Sequence, residues 1–281
     1  MTVALTCALP LYRVEHIGWL ALESLCRQEG INFEWELIAV EESFQHLGEE
    51  ALRAYESRLA KVGCRTPITY ISLNQWVALA DKWQMIAQEA DSFGYLLVAG
   101  DDYSPPKRLA QTHELLQNYE WVQSSLGAFY NMPTNTLSIY DHELAKGYPT
   151  ALNMAVRTEL IRPLPLSGRR KSVDGWLFKE ISRLIQRPLT VGFSLSQDWR
   201  HGVSTQGMNN ISLARGELIE RLRPPFRAPA DGEPTALSEI LPEAIAQRLR
   251  QLREDAQRRM QTAGSAFDSS LAAPDPTLFT F

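Results

Sequence analysis

Within the first 120 residues, four short apolar runs alternate with four helix-patterned segments. No other feature restricts the fold as much. Thr2–Leu9, Trp35–Val40, Pro67–Leu73 and Tyr95–Ala99 have the length and apolar, β-branched character of buried strands. Between them, Val14–Gln28 carries Ile17, Leu20, Ala21 and Leu25 at helical spacing and stops at Gly30. Gly48–Val62 is helix-patterned, and Gln75–Ala90 sets Trp76, Leu79, Trp83 and Ile86 on one stripe. A fourth helix opens at Pro105-Pro106 and runs towards Asn118. Such alternation predicts an α/β fold, a mostly parallel sheet flanked by helices on both faces.

Ligands of such sheets bind at the carboxyl ends of the strands. In this chain those ends carry Tyr12 and Arg13, then Glu41 and Glu42, then Asp101 and Asp102. The last pair closes the run Leu96-Leu97-Val98-Ala99-Gly100-Asp101-Asp102-Tyr103-Ser104-Pro105-Pro106. Two adjacent carboxylates at a strand end suit a hard divalent cation, Mg²⁺ or Mn²⁺, which takes oxygen ligands and often only one or two carboxylates beside substrate phosphates. The competing reading is an N-cap, with Asp102 satisfying free amides ahead of Pro105. Glu41-Glu42 has its own plain alternative, a solvated loop start.

The second half is less regular. Trp121–Tyr130 and Thr136–Tyr140 read as strands joined by a Met-Pro-Thr-Asn turn, Thr150–Val156 as a strand or buried turn, Val173–Leu184 as a helix and Leu189–Leu195 as a strand. Asp174 heads that helix beside Trp176, where an apolar neighbour would raise its pKa towards the range of a general base, although a helix cap is an equal use for it. Asp198-Trp199-Arg200-His201-Gly202 offers a histidine able to ligate Mn²⁺ or simply to pack. Arg157, Arg162, Arg169, Arg170 and Lys171 form a basic stretch, either a solvated loop or a grip on phosphate. Residues 224–281 read as a Pro-rich linker, an amphipathic helix over Leu237–Thr262 and a tail. Ile240, Leu241, Ile245, Leu249 and Leu252 are expected to pack on the body or on a second copy in a homo-oligomer.

Taken in order, these elements resemble the family 2-like glycosyltransferases of the GT-A fold over roughly residues 2 to 205. The resemblance rests on Ala8-Leu9-Pro10-Leu11-Tyr12-Arg13, on Glu36-Leu37-Ile38-Ala39-Val40-Glu41-Glu42-Ser43, on Leu73-Asn74 with Asp81-Lys82-Trp83, and on Gly100-Asp101-Asp102 with its trailing prolines. It implies a GT-A, Rossmann-like domain over 1–223, with a nucleotide-sugar-binding half (1–119) and an acceptor half (120–223), followed by the C-terminal helical appendage. It also implies a nucleotide-sugar donor, UDP-linked by preference. Pro10, Tyr12 and Arg13 would line the base pocket, Glu41 or Glu42 would contact base or ribose, and Lys82 and Asp101 would complete the donor site. Asp101, Asp102 and His201 would hold Mn²⁺ or Mg²⁺, and Asp174 would be the general base of an inverting displacement. Two departures stand out: Ala99 occupies the place of the family's first metal-motif aspartate, and the asparagine expected near Trp83 is absent.

The net charge of −5 gives no overall attraction to nucleic acid or anionic membrane. No apolar run is long enough to cross a bilayer, which argues against a polytopic polysaccharide synthase, and the resemblance leaves a small cell-envelope glycan or lipid-linked precursor as the default acceptor. A modified base in phage DNA stays open through the local basic stretch. Three scattered cysteines without CxxC spacing and no signal-peptide pattern lead to the expectation of a cytoplasmic enzyme. A sugar-nucleotide nucleotidyltransferase is disfavoured because Pro10-Leu11-Tyr12-Arg13 has no glycine-rich phosphate loop. A non-catalytic nucleotide-sugar-binding module is motivated by Ala99.

Overall fold

The computed structural model describes residues 3–42, 46–132, 135–141, 154–169, 173–194, 203–204 and 226–262. The first four strands are β1 (Val3–Leu11), β2 (Trp35–Glu42), β3 (Thr69–Leu73) and β4 (Ser92–Leu97). They pair in parallel in the order β4-β1-β2-β3, as the alternation predicts. β1 is buried along nearly its whole length, as a central parallel strand must be.

Their connections are shorter than the apolar spacing suggests. α1 is confined to Trp19–Leu25, because Ile17 and Gly18 donate backwards to the Val14 carbonyl in a turn that precedes it. The segment expected as one helix over Gly48–Val62 divides into α2 (Glu49–Arg53) and α3 (Glu56–Ala60). The break lets Glu56 accept the Ile68 amide at 2.8 Å ahead of β3. α4 (Leu79–Glu89) buries Trp83 and Ile86, but Trp76 precedes it and is exposed, as is Leu79. The expected four-residue stripe is therefore two residues long.

Beyond the short β5 (Asp102–Tyr103) and α5 (Arg108–Asn118), the strand expected over Trp121–Tyr130 splits at Ser125. β6 (Trp121–Ser124) stays in the first sheet, and β7 (Leu126–Asn131) leaves it to form a hairpin with β8 (Thr136–Asp141). Asn135 at the turn has φ 57°, a left-handed conformation that asparagine tolerates, and its Oδ1 accepts the Tyr130 hydroxyl at 2.6 Å. β9 (Ala155–Arg157) lies antiparallel between β4 and β6; Thr150–Asn153 fall outside the described residues. α6 (Thr158–Ile161), α7 (Val173–Leu184) and β10 (Val191–Ser194) follow.

The described strands make a seven-stranded sheet, β10-β6-β9-β4-β1-β2-β3, and a five-stranded one, β12-β8-β7-β11-β5. β11 is Val203–Ser204, and β12 is Phe226–Arg227, inside the segment expected as a linker. Phe226 packs edge-on against Phe129 and Tyr140. A single turn of 3-10 helix (Leu237–Glu239) leads into α8 (Glu243–Thr262). Leu237, Ile240, Leu241, Ile245 and Leu249 are buried in the same cluster as Leu20, Leu22 and Leu9, and Arg248 lies 3.8 Å over the Trp19 ring. The C-terminal helix thus packs on the body of its own chain. Among the described residues no helix is long and apolar enough to cross a membrane.

Candidate active site

The carboxyl end of β1 runs into a tight turn at Leu11–Arg13. Arg13 adopts φ 54°, which a non-glycine residue holds only where its surroundings impose it. Two neighbours fix this turn. From β2, Glu42 is buried, and Lys82 of α4 donates to its carboxylate and, at 2.6 Å, to the Leu11 carbonyl. The Lys82 ammonium also lies 5.5 Å from the Tyr12 ring centroid, and the Arg13 guanidinium 5.2 Å from it. Burial lowers the Lys82 pKa, and the Glu42 carboxylate opposes that shift. Burial likewise raises the Tyr12 hydroxyl.

The second neighbour is the acidic turn after β4. Gly100 packs so closely that a Cβ there would meet Leu11 Cδ2 at 2.8 Å and Val14 Cγ1 at 3.2 Å. A side chain at this position would have to displace the Leu11 and Val14 side chains, so glycine suits the close approach of the acidic turn to the end of β1. Asp102 is buried and its amide donates to the Ala99 carbonyl at 3.2 Å. Burial raises the Asp101 pKa, which disfavours its carboxylate; a cation bound there would oppose that shift.

Glu41 is placed differently. Its carboxylate accepts the Leu47 amide at 2.6 Å, the Gly48 amide at 3.0 Å and the Tyr70 hydroxyl at 3.0 Å. Glu42 also accepts the Val77 amide at 3.3 Å. Both glutamates thus brace the loops that rim the strand ends. Pro10 sits within β1, in register with Val40.

Asp174 lies in the first turn of α7, whose Val173, Leu177 and Ile181 share a buried cluster with Ala8 and Leu97. It stands within electrostatic range of Tyr140, whose pKa is pushed up to about 12 by burial first and by the Asp174 charge second. His201, Arg170 and Lys171 lie outside the described residues. Two members of the basic stretch have structural work: Arg157 donates to the Leu116 and Gln117 carbonyls, and Arg162 to the Ala87 and Ala90 carbonyls, at the carboxyl ends of α5 and α4.

Sequence reasoning missed Arg108, a fully enclosed guanidinium beneath the acidic turn, and Gln28, whose side chain donates to the Pro105 carbonyl at 2.8 Å and accepts the Leu109 amide at 3.0 Å. A positively charged residue four positions past Ser104 on a new helix was the only signal available for Arg108.

Among the described residues no group of three or more His, Cys, Asp or Glu side chains is placed to hold a metal ion. Asp101, half-buried, and Asp102, buried, follow one another in the turn after β4, and carboxylate oxygens are the donor type a hard cation takes. The cysteines are free, and burial pushes the Cys7 thiol up to about 12 and raises that of Cys64, so neither is a nucleophile.

No sequence-family profile and no curated protein matches the chain. Solved structures do. S. aureus TarS is similar with a TM-score of 0.54 at 12% identity, over 95% of this chain and 46% of that one, so this chain spans less than half of that protein's length. TarS 1-349 in complex with UDP matches with a TM-score of 0.54 at 13% identity, over 98% of this chain and 76% of that one. The mannosyltransferase PcManGT from Pyrobaculum calidifontis, in complex with GDP-Man and Mn²⁺, matches with a TM-score of 0.52 at 13% identity, over 97% of this chain and 79% of that one. At such identities the likeness establishes architecture: this chain has the GT-A fold.

Proposed function

We propose that the chain is a glycosyltransferase that moves a sugar from a nucleotide-diphosphate sugar, UDP-linked by preference, to an acceptor hydroxyl. The observation that carries this reading is the Gly100-Asp101-Asp102 turn at the carboxyl end of β4, with Gly100 against Leu11 and Val14 where β1 ends, in a GT-A fold. Structures of that fold include one with UDP and one with GDP-Man and Mn²⁺.

The nucleoside is assigned to the Pro10–Arg13 turn, with Tyr12 and Arg13 against the base and Lys82, Glu41 and Glu42 holding the shape of the pocket. Asp101 and Asp102, with His201 as a third ligand, would hold Mn²⁺ or Mg²⁺, which when bound neutralises charge on the departing diphosphate. Asp174 takes the proton of the acceptor hydroxyl as that oxygen attacks the anomeric carbon from the face opposite the diphosphate, so that configuration inverts. In this reading residues 1–223 supply the transferase site, the C-terminal segment completes its core, and the enzyme works in the cytoplasm. The acceptor class is a cell-envelope glycan hydroxyl, with a modified DNA base as the second choice.

Two variants test the assignment in one assay. Asp174→Asn is expected to leave donor affinity intact and to slow transfer by about a hundredfold or more. Asp101→Asn is expected to weaken donor binding itself. Transfer by Asp174→Asn at the wild-type rate would refute the base assignment.

A further inference from the structure

Arg108, the first residue of α5, lies under the acidic turn and is only 5% exposed. Its guanidinium reaches both sides of that turn. Nη2 donates to the Leu97 carbonyl, where β4 ends, and Nη1 donates to Ser104 Oγ at 2.8 Å, beyond the aspartates. Its own amide donates to the Pro105 carbonyl at 3.0 Å. One planar, rigid fork therefore clasps residues 97 and 104 and closes the loop that carries Asp101 and Asp102.

Charge adds to the clasp. Burial lowers the Arg108 pKa to about 10, and Asp102 is the strongest charge opposing that fall. Asp102 is equally buried, at 5% exposure. Arg108 Nε is enclosed without a hydrogen-bond partner among the described residues. A residue kept for packing alone would be better replaced by an apolar side chain of similar volume. The guanidinium makes its two hydrogen bonds on either side of Asp101 and Asp102, and its charge acts on Asp102.

We infer that Arg108 is a positioning residue for the divalent-cation site: it holds the Asp101-Asp102 turn in its ligating shape before cation or nucleotide arrives. This rests on the proposed function, which assigns the cation to those aspartates. Ligand-orienting groups behind a metal site commonly change affinity by about 10–100-fold when removed. Arg108 does for this turn what a bonded partner does for a ligating side chain, and it does so without touching substrate.

The test compares UDP affinity by calorimetry with Mn²⁺ and with chelator, in wild type and in Arg108→Met. Wild type is expected to bind at least about tenfold more tightly with Mn²⁺. In Arg108→Met that ratio should fall below about threefold while the affinity in chelator stays within about twofold of wild type, on the scale expected for a lost ligand-orienting partner. A general structural defect would lower both affinities together, and that result would overturn the inference. So would an unchanged Mn²⁺ ratio in a folded Arg108→Met. Arg108→Lys, which keeps the charge but cannot clasp Leu97 and Ser104 at once, should show the same selective loss and serves if the methionine variant does not fold. A wild-type protein whose UDP binding ignores Mn²⁺ would instead bring down the proposed cation site together with this inference.

Discussion

The Glu42–Lys82 pair joins the sheet to the site, and its removal gives a quantitative test. Both side chains are almost fully enclosed, at 6% and 3% exposure, and Lys82 also bonds the Leu11 carbonyl at 2.6 Å. Lys82→Met would leave the Glu42 carboxylate buried without its cation and release the β1 turn. Breaking one partner of a buried pair costs about 3–5 kcal/mol. For a chain of this size that corresponds to a fall in Tm on the order of 10 °C. Glu42→Gln together with Lys82→Met removes both charges, and this double variant should recover at least half of the loss. Urea unfolding followed by circular dichroism gives all three free energies, and the cycle yields the coupling directly. A Lys82→Met loss below about 1 kcal/mol, or a double variant as unstable as the sum of the singles, would refute the description of this pair as an internal strut.

Other outcomes follow from particular contacts. A chain stopped before Leu237 loses five large aliphatic side chains from the core, each worth about 1.5–3 kcal/mol. Together these approach the whole stability of a domain, so the truncated chain should show no cooperative thermal transition. Leu249→Ala alone should cost about 2–5 kcal/mol in urea unfolding. Gly100→Ala should destabilise by about 1–3 kcal/mol through overpacking on Leu11 and Val14, and should weaken nucleotide binding, measured by calorimetry. Glu120 is held down to about 2, from 4.5, chiefly by Arg187. A depressed carboxylate stabilises the fold fully above its unfolded pKa and loses that contribution as pH falls through the folded one. Glu120→Gln should therefore flatten the stability loss between pH 4.5 and 2, read from midpoints of urea unfolding at each pH.

The parallel half of the fold was legible because its strands are buried on both faces, and such strands write themselves as continuous apolar runs. The split of Trp121–Asn131 was not legible. Both pieces have strand composition, and only the tertiary arrangement sends one to the large sheet and the other to the small one. Phe226–Arg227 is too short to register against its prolines, yet Phe226 finds an aromatic pocket made by Phe129 and Tyr140. At the site, the acidic and aromatic residues announced themselves by their position at strand ends. What the sequence could not convey was their pairing: that Glu41 is taken up by the Leu47 and Gly48 amides, that Glu42 belongs to Lys82, and that a buried arginine from the next helix underlies Asp102. Arg157 and Arg162 show the converse: two members of a stretch that suggested phosphate, they donate instead to carbonyls at the ends of two helices.

The central claim, a nucleotide-sugar site built on the Asp101-Asp102 turn, meets its most direct test in a panel of UDP- and GDP-sugars titrated calorimetrically into the full chain, each with Mn²⁺ and with chelator. At least one sugar nucleotide should bind about tenfold more tightly with Mn²⁺, a difference of ~1.4 kcal/mol, and Asp101→Asn should erase that difference. Equal affinity for every sugar nucleotide in Mn²⁺ and in chelator, or binding that survives Asp101→Asn with its cation dependence intact, would contradict the account.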